Sequence, residues 1–142
     1  MGTAGTPTRI EHIGIAVRDL DAAIRTYERL LGVGPYAVEE VPDQNVRTAF
    51  FRLGESKIEL LESTSPDGPV ARFIAKRGEG IHHIAYAVGD IHAALHDLAS
   101  GGVRLIDGEP RKGAEGLSIA FIHPLSACGV LTEITDTAPQ LP

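Results

Sequence analysis

Two histidines and two glutamates occupy matching places in this chain. His12 opens HIGIAVRDLDAAI and His83 opens HIAYAVGDIHAAL; aligned at an offset of 71 residues (83 − 12), the two stretches agree at seven of thirteen positions. Farther on, Lys57-Ile-Glu-Leu-Leu matches Leu131-Thr-Glu-Ile-Thr, so Glu59 corresponds to Glu133, with three extra residues in the second copy (133 − 59 = 74). Self-similarity at a fixed offset marks each copy as one structural module. Each module then offers one imidazole and one carboxylate. In a strand, alternation puts each Glu on the face opposite its immediate neighbours, and a carboxylate turned inward is costly without a cation beside it. Two neutral imidazoles and two carboxylates, with no thiolate, suit a divalent ion such as Co, Zn, Ni or Mn better than a closed structural zinc site. His12, Glu59, His83 and Glu133 are the candidate metal ligands.

The elements that must position them follow from pattern. IEHIGIAV alternates as a strand over residues 9–17, with Ile13, Ile15 and Val17 on one face and His12 on the other. Asp19 or Asp21 caps a helix running to Leu31, whose apolar stripe is Leu20, Ala23, Ile24, Tyr27, Leu30 and Leu31, and Gly32 ends it. Strands are expected near 36–41, 46–53 and 57–62, with a turn at Pro42-Asp43-Gln44-Asn45. After a turn-rich linker with a short helix near 70–76, the second module repeats the plan: a strand at 82–88, a helix at 90–99, and strands near 103–106, 117–123 and 129–135. The predicted class is α+β, two tandem βαβββ modules forming a curved mixed sheet around a metal site. The modules span residues 9–62 and 81–136, joined by a linker at 63–80, with loose tails at 1–8 and 137–142.

Composition narrows the partners. The 142 residues, 43% hydrophobic and 23% charged, describe an ordinary globular chain. A formal net charge of −6 gives no general attraction to nucleic acid or to anionic membranes, so no partner of either kind is expected. No apolar run is long enough to span a bilayer. A single cysteine, Cys128, fits a reducing compartment, and a cytoplasmic location is expected. Other histidines read more plainly. His82 points opposite to His83, as a packing or surface residue; His92 and His96 share a solvated helix face; His123, ahead of Pro124, is a candidate for lining the site.

EHIGIAV, LLESTSPDGPVARFIAKRGEGIHHIAYAV, the EPRKGAEG loop and FIHPLSACGVLTEI, in that order, resemble the methylmalonyl-CoA epimerases of the vicinal oxygen chelate superfamily over nearly the whole chain, Ile10 to Ile134. The resemblance implies a divalent metal on His12, Glu59, His83 and Glu133, a homodimer, an acyl-CoA substrate, and interconversion of (R)- and (S)-methylmalonyl-CoA at C2. Such chemistry needs a proton removed from one face of an enolate and returned on the other, hence two acid/base groups. Some members carry a Glu where this chain has Thr48, and a threonine is no general base at neutral pH. The metal-bound carboxylates Glu133 and Glu59 are therefore the expected proton carriers, with Glu39, Glu40 and Glu115 as outside candidates. For the substrate, Arg72, Lys76, Arg77, Arg111 and Lys112 can meet phosphates, His123 can line the cleft, and the loop at Lys112, Gly113 and Ala114 resembles one that holds the acyl carboxylate through backbone N–H groups. Rival readings are a glyoxalase I type isomerase with the same four ligands, an extradiol dioxygenase, which uses one ligand fewer, and a metal-free ligand-sequestering relative.

Overall fold

The structure, a computed structural model, describes residues 5–137. The tails expected at 1–8 and 137–142 fall largely outside the described residues. Thr8, which is described, donates its N–H to the Ala87 carbonyl at 2.9 Å.

Two compact units make up the chain: His12–His82, and the residues through Glu11 together with those from His83 on. In the first, β1 (Arg9–Ala16) is followed by α1 (Leu20–Leu31), β2 (Ala37–Val41), β3 (Val46–Leu53), β4 (Ser56–Ser63) and α2 (Pro69–Arg77). The strand order is β2-β3-β4-β1. β1 runs parallel to β4, and the β2/β3 and β3/β4 pairs are antiparallel. One face is closed by α1: Leu20, Ala23, Ile24, Tyr27 and Leu31 pack on Val17, Ala49, Phe51 and Leu60. The expected stripe also held Leu30, which is 67% exposed; spacing of 4, 3 and 4 through residues 20, 24, 27 and 31 leaves position 30 off the buried line.

The second unit repeats the plan with β5 (Gly80–Val88), α3 (Ile91–Ser100), β6 (Arg111–Lys112), β7 (Ser118–Ile122) and β8 (Thr132–Asp136), strand order β5-β8-β7-β6. Ile91, Ala94 and Leu95 of α3 pack on Val88, Ala120, Ile122 and Ile134. The repeat extends to the helix caps. Asp19 accepts from the Ala22 N–H and Asp90 from the Ala93 N–H, both at 3.0 Å and 71 residues apart, each satisfying a donor that helix geometry leaves open.

Two strands differ from expectation. Residues 103–106 are no strand; Leu105 makes only an isolated bridge to Ile122. There the carboxylate of Asp107 takes the Phe121 N–H at 2.9 Å, while the Ile106 and Asp107 N–H groups both converge on the Phe121 carbonyl. That knot stops the ladder, and the edge strand forms instead at Arg111–Lys112. The last strand begins at Thr132 rather than 129, because a 3₁₀ turn at Pro124–Ser126 and positive φ at Cys128 and Gly129 hold the preceding residues out of extended geometry.

Candidate active site

Each unit buries one His/Glu pair on the sheet face opposite its helix, and strand register alone brings the partners together. In the first unit Gly14 of β1 lies opposite Glu59 of β4, so His12, two residues earlier on the same face, reaches the carboxylate: His12 Nδ1 is 3.0 Å from Glu59 Oε2. In the second, Ala85 of β5 lies opposite Glu133 of β8, and His83 Nε2 is 3.4 Å from Glu133 Oε1. All four side chains are buried, between 3% and 5% exposed.

Two aromatics, again 71 residues apart, complete the likeness. Phe50 is the cross-strand partner of Glu59 and Phe121 that of Glu133, and the His83 ring meets Phe121 edge-on at 5.6 Å. Each phenyl ring also carries a cation, Lys57 Nζ 5.8 Å from the Phe50 centroid and the Arg111 guanidinium 5.4 Å from that of Phe121. The two cations differ in setting. Lys57 is 4% exposed and stands 3.6 Å from Glu59 Oε2; Arg111 is exposed and pairs with Asp107 at 3.4 Å.

Lys57, Phe50 and Phe121 were not singled out from sequence, although the signal was there. Lys57 precedes Glu59 by two residues and so must share its face, and the two phenylalanines keep the repeat offset. Among the outside acid/base candidates, Glu39 is half-buried and directly opposite Thr48 in the β2/β3 ladder, whereas Glu40 and Glu115 are exposed. Thr48 is 1% exposed, and among the described residues its Oγ1 has no hydrogen-bond partner.

The substrate candidates divide. Arg111, over the ring that touches His83, is on the face of the second pair. Lys112 is exposed, its Nζ 3.5 Å from the Gly116 carbonyl. Gly113 corrects the expectation of an open N–H: that group donates to the Leu117 carbonyl at 2.9 Å, and a Cβ there would come within 2.7 Å of Ile119. The residue is small for packing, and Ala114 begins the 3₁₀ turn that follows. His123 is half-buried and uses Nδ1 to accept the Leu125 N–H at 3.0 Å. His82 turns away from the pair, its ring edge-on to Phe73 at 5.0 Å; burial lowers its pKa from 6.5 to about 4. His92 and His96 are exposed on α3. Cys128 is exposed, and among the described residues no helix is long and apolar enough to cross a membrane.

The donor set fits a divalent cation. Two buried carboxylates, each within 3.4 Å of an imidazole nitrogen, supply oxygen and nitrogen ligands of intermediate softness without a thiolate.

Residues 11–121 match the model of the Glyoxalase/Bleomycin resistance protein/Dioxygenase superfamily. The ethylmalonyl-CoA/methylmalonyl-CoA epimerase of Cereibacter sphaeroides is 41% identical over 128 residues, covering 89% of this chain and 96% of that protein. The mitochondrial methylmalonyl-CoA epimerase of Homo sapiens is 37% identical, covering 89% of this chain and 72% of the relative. A Streptomyces coelicolor methylmalonyl-CoA epimerase variant, solved with 2-nitronate-propionyl-CoA, superposes with a TM-score of 0.91 at 40% identity, over 96% of this chain and all of the other. An α+β chain with two βαβββ modules, paired His and Glu at the repeat offset, and relatives of this kind over nearly its full length belongs to the glyoxalase superfamily, and within it to the methylmalonyl-CoA epimerases.

Proposed function

We propose that His12, Glu59, His83 and Glu133 together hold one divalent metal ion, and that the protein interconverts the C2 epimers of methylmalonyl-CoA. The observation that carries the reading is the pair of equivalent buried His/Glu couples, one per module, each backed by a phenylalanine at the repeat offset. Bound there, a divalent ion would supply Lewis acidity toward the thioester carbonyl, favouring the charge that develops as the C2 proton leaves.

The chain's own residues account for the rest. Glu133 Oε1 and Glu59 Oε2 are the proton carriers, one accepting the C2 proton while the other returns one on the opposite face; Thr48 contributes no base. Lys57, 3.6 Å from Glu59 Oε2, fixes that carboxylate in orientation, and the apolar walls of Phe50 and Phe121 keep bulk water from the enolate. Arg111 and Lys112, exposed along β6, offer the cations for CoA phosphates that a chain of net charge −6 must provide locally. The Cereibacter relative's name covers both the 2-ethyl and 2-methyl substrates, and we extend both to this chain. A homodimer, by family likeness, and a cytoplasmic location, which the single cysteine suits, belong to the same proposal.

The test is deuterium exchange at C2. One epimer of methylmalonyl-CoA in deuterated water, with metal-loaded protein, should gain deuterium and racemise in a metal-dependent way, and Glu59→Gln should retain the metal while losing turnover. Background exchange with metal bound would transfer the reading to hemithioacetal substrates of the glyoxalase I type.

A further inference from the structure

The Thr48 hydroxyl stands out on the face that carries His12, Lys57 and Glu59. Its residue is 1% exposed, and Oγ1 has no hydrogen-bond partner among the described residues. Register fixes which way it faces. Thr48 lies opposite Leu61 on β4, and Phe50, two residues on, lies opposite Glu59, so hydroxyl and carboxylate share one side of the sheet and Ala49 and Phe51 take the helix side. A buried hydroxyl without a partner costs free energy.

Packing does not require that hydroxyl. At the repeat offset of 71 the second module has Ile119, buried at 3%, in the same place on its antiparallel strand. Where a purely apolar side chain serves one module, a hydroxyl retained at a cost in the other points to a partner that arrives from outside the chain. We propose that Thr48 is a substrate-binding residue, its Oγ1–H donating to an oxygen of the malonyl head of the bound thioester beside Glu59. A local cost in the unliganded protein is then recovered on binding, the pattern expected of a site preorganised for its ligand. The inference rests on the epimerase reading and adds to it the residue that recognises the head group.

Thr48→Val keeps shape and deletes the hydroxyl; Thr48→Ser keeps the hydroxyl. The metal-loaded proteins are compared by melting temperature, by calorimetric affinity for malonyl-CoA, which has no stereocentre to invert, and by kcat and KM for methylmalonyl-CoA. Thr48→Val should melt no lower than the parent while binding malonyl-CoA roughly tenfold more weakly and raising KM in proportion, and Thr48→Ser should return both to within about twofold of the parent. Unchanged affinity and KM in Thr48→Val overturn the proposal, and a lowered melting temperature with unchanged affinity does so too, by showing that the hydroxyl serves the fold. Thr48→Ala provides the same comparison should the valine variant fold poorly. A parent protein inert toward methylmalonyl-CoA sinks the epimerase reading itself, and that result is seen before any variant is made.

Discussion

Replacing Glu59 by Gln should destabilise the metal-free protein without altering its shape. Gln keeps the volume of Glu and an oxygen acceptor toward His12, so packing against Phe50 is retained. What goes is the negative charge 3.6 Å from the Lys57 ammonium, both groups being at most 4% exposed. At that separation the attraction is worth about 4–5 kcal/mol for an effective dielectric of about 20, in line with the roughly 3–5 kcal/mol lost when one member of a buried pair is removed. The expected destabilisation is therefore about 4 kcal/mol, or roughly 12 °C in melting temperature for a chain of this size. The measurement is urea and thermal denaturation, in chelator, of the parent, Glu59→Gln, Lys57→Met and the double variant. Removing both charges leaves neither one stranded, so the double variant should regain more than half of what Glu59→Gln loses. If Glu59→Gln stays within about 1 kcal/mol of the parent, or the double variant is no better than the single, the buried pair does not hold β4 in place and the reasoning fails.

Acidity should act through His82. Its folded pKa is lowered to about 4 from 6.5 by burial, so below 6.5 the unfolded chain takes up a proton that the folded one refuses. Stability should fall as the pH drops from 6.5 to 4 and the effect should level off below that, by roughly 2 kcal/mol after discounting for partial exposure. His82→Gln should remove that part of the slope in pH-dependent denaturation; an unchanged slope would count against it. Gly113→Ala should cost about 1–3 kcal/mol by overpacking, since its Cβ would lie 2.7 Å from Ile119 Cγ2 and 2.8 Å from Cδ1. Ile119→Val, which removes Cδ1, should recover part of the loss in a melting experiment, and an additive double variant would show the clash to be absent.

Much of the His/Glu pairing was legible because the repeat carries it twice. A lone strand His reads as core and a lone strand Glu as surface; only their recurrence at both ends of two copies marks His12, Glu59, His83 and Glu133 as one set. Helix ends were legible to within a residue or two: Asp19 or Asp21 reads as the first cap and the structure selects Asp19, Gly32 ends that helix through its φ freedom, and Asp90, read as the first residue of the second helix, is its cap. Residues 103–106 were misjudged because a carboxylate outcompeted a ladder: Asp107 takes the Phe121 N–H, a side-chain choice that apolar alternation does not encode. Leu30 reads as part of the stripe because it is apolar and adjoins Leu31, whereas packing on Leu60 and Phe51 selects only one line of the helix. That the Thr48 hydroxyl lacks a partner among the described residues had no sequence signal, because whether a polar atom is satisfied depends on the atoms around it in space.

The parallel ladder between β1 and β4 has a meaning beyond holding two strands. Because side chains alternate, sliding β1 by one residue against Gly14↔Glu59 would carry His12 to the helix side and leave Glu59 behind. A cation held by both, as proposed, would bind only the chain in correct register, and its binding energy would be added to that arrangement and to no other. Metal in the growth medium would then act as a proofreader of folding, and the yield of correctly paired protein should track its supply.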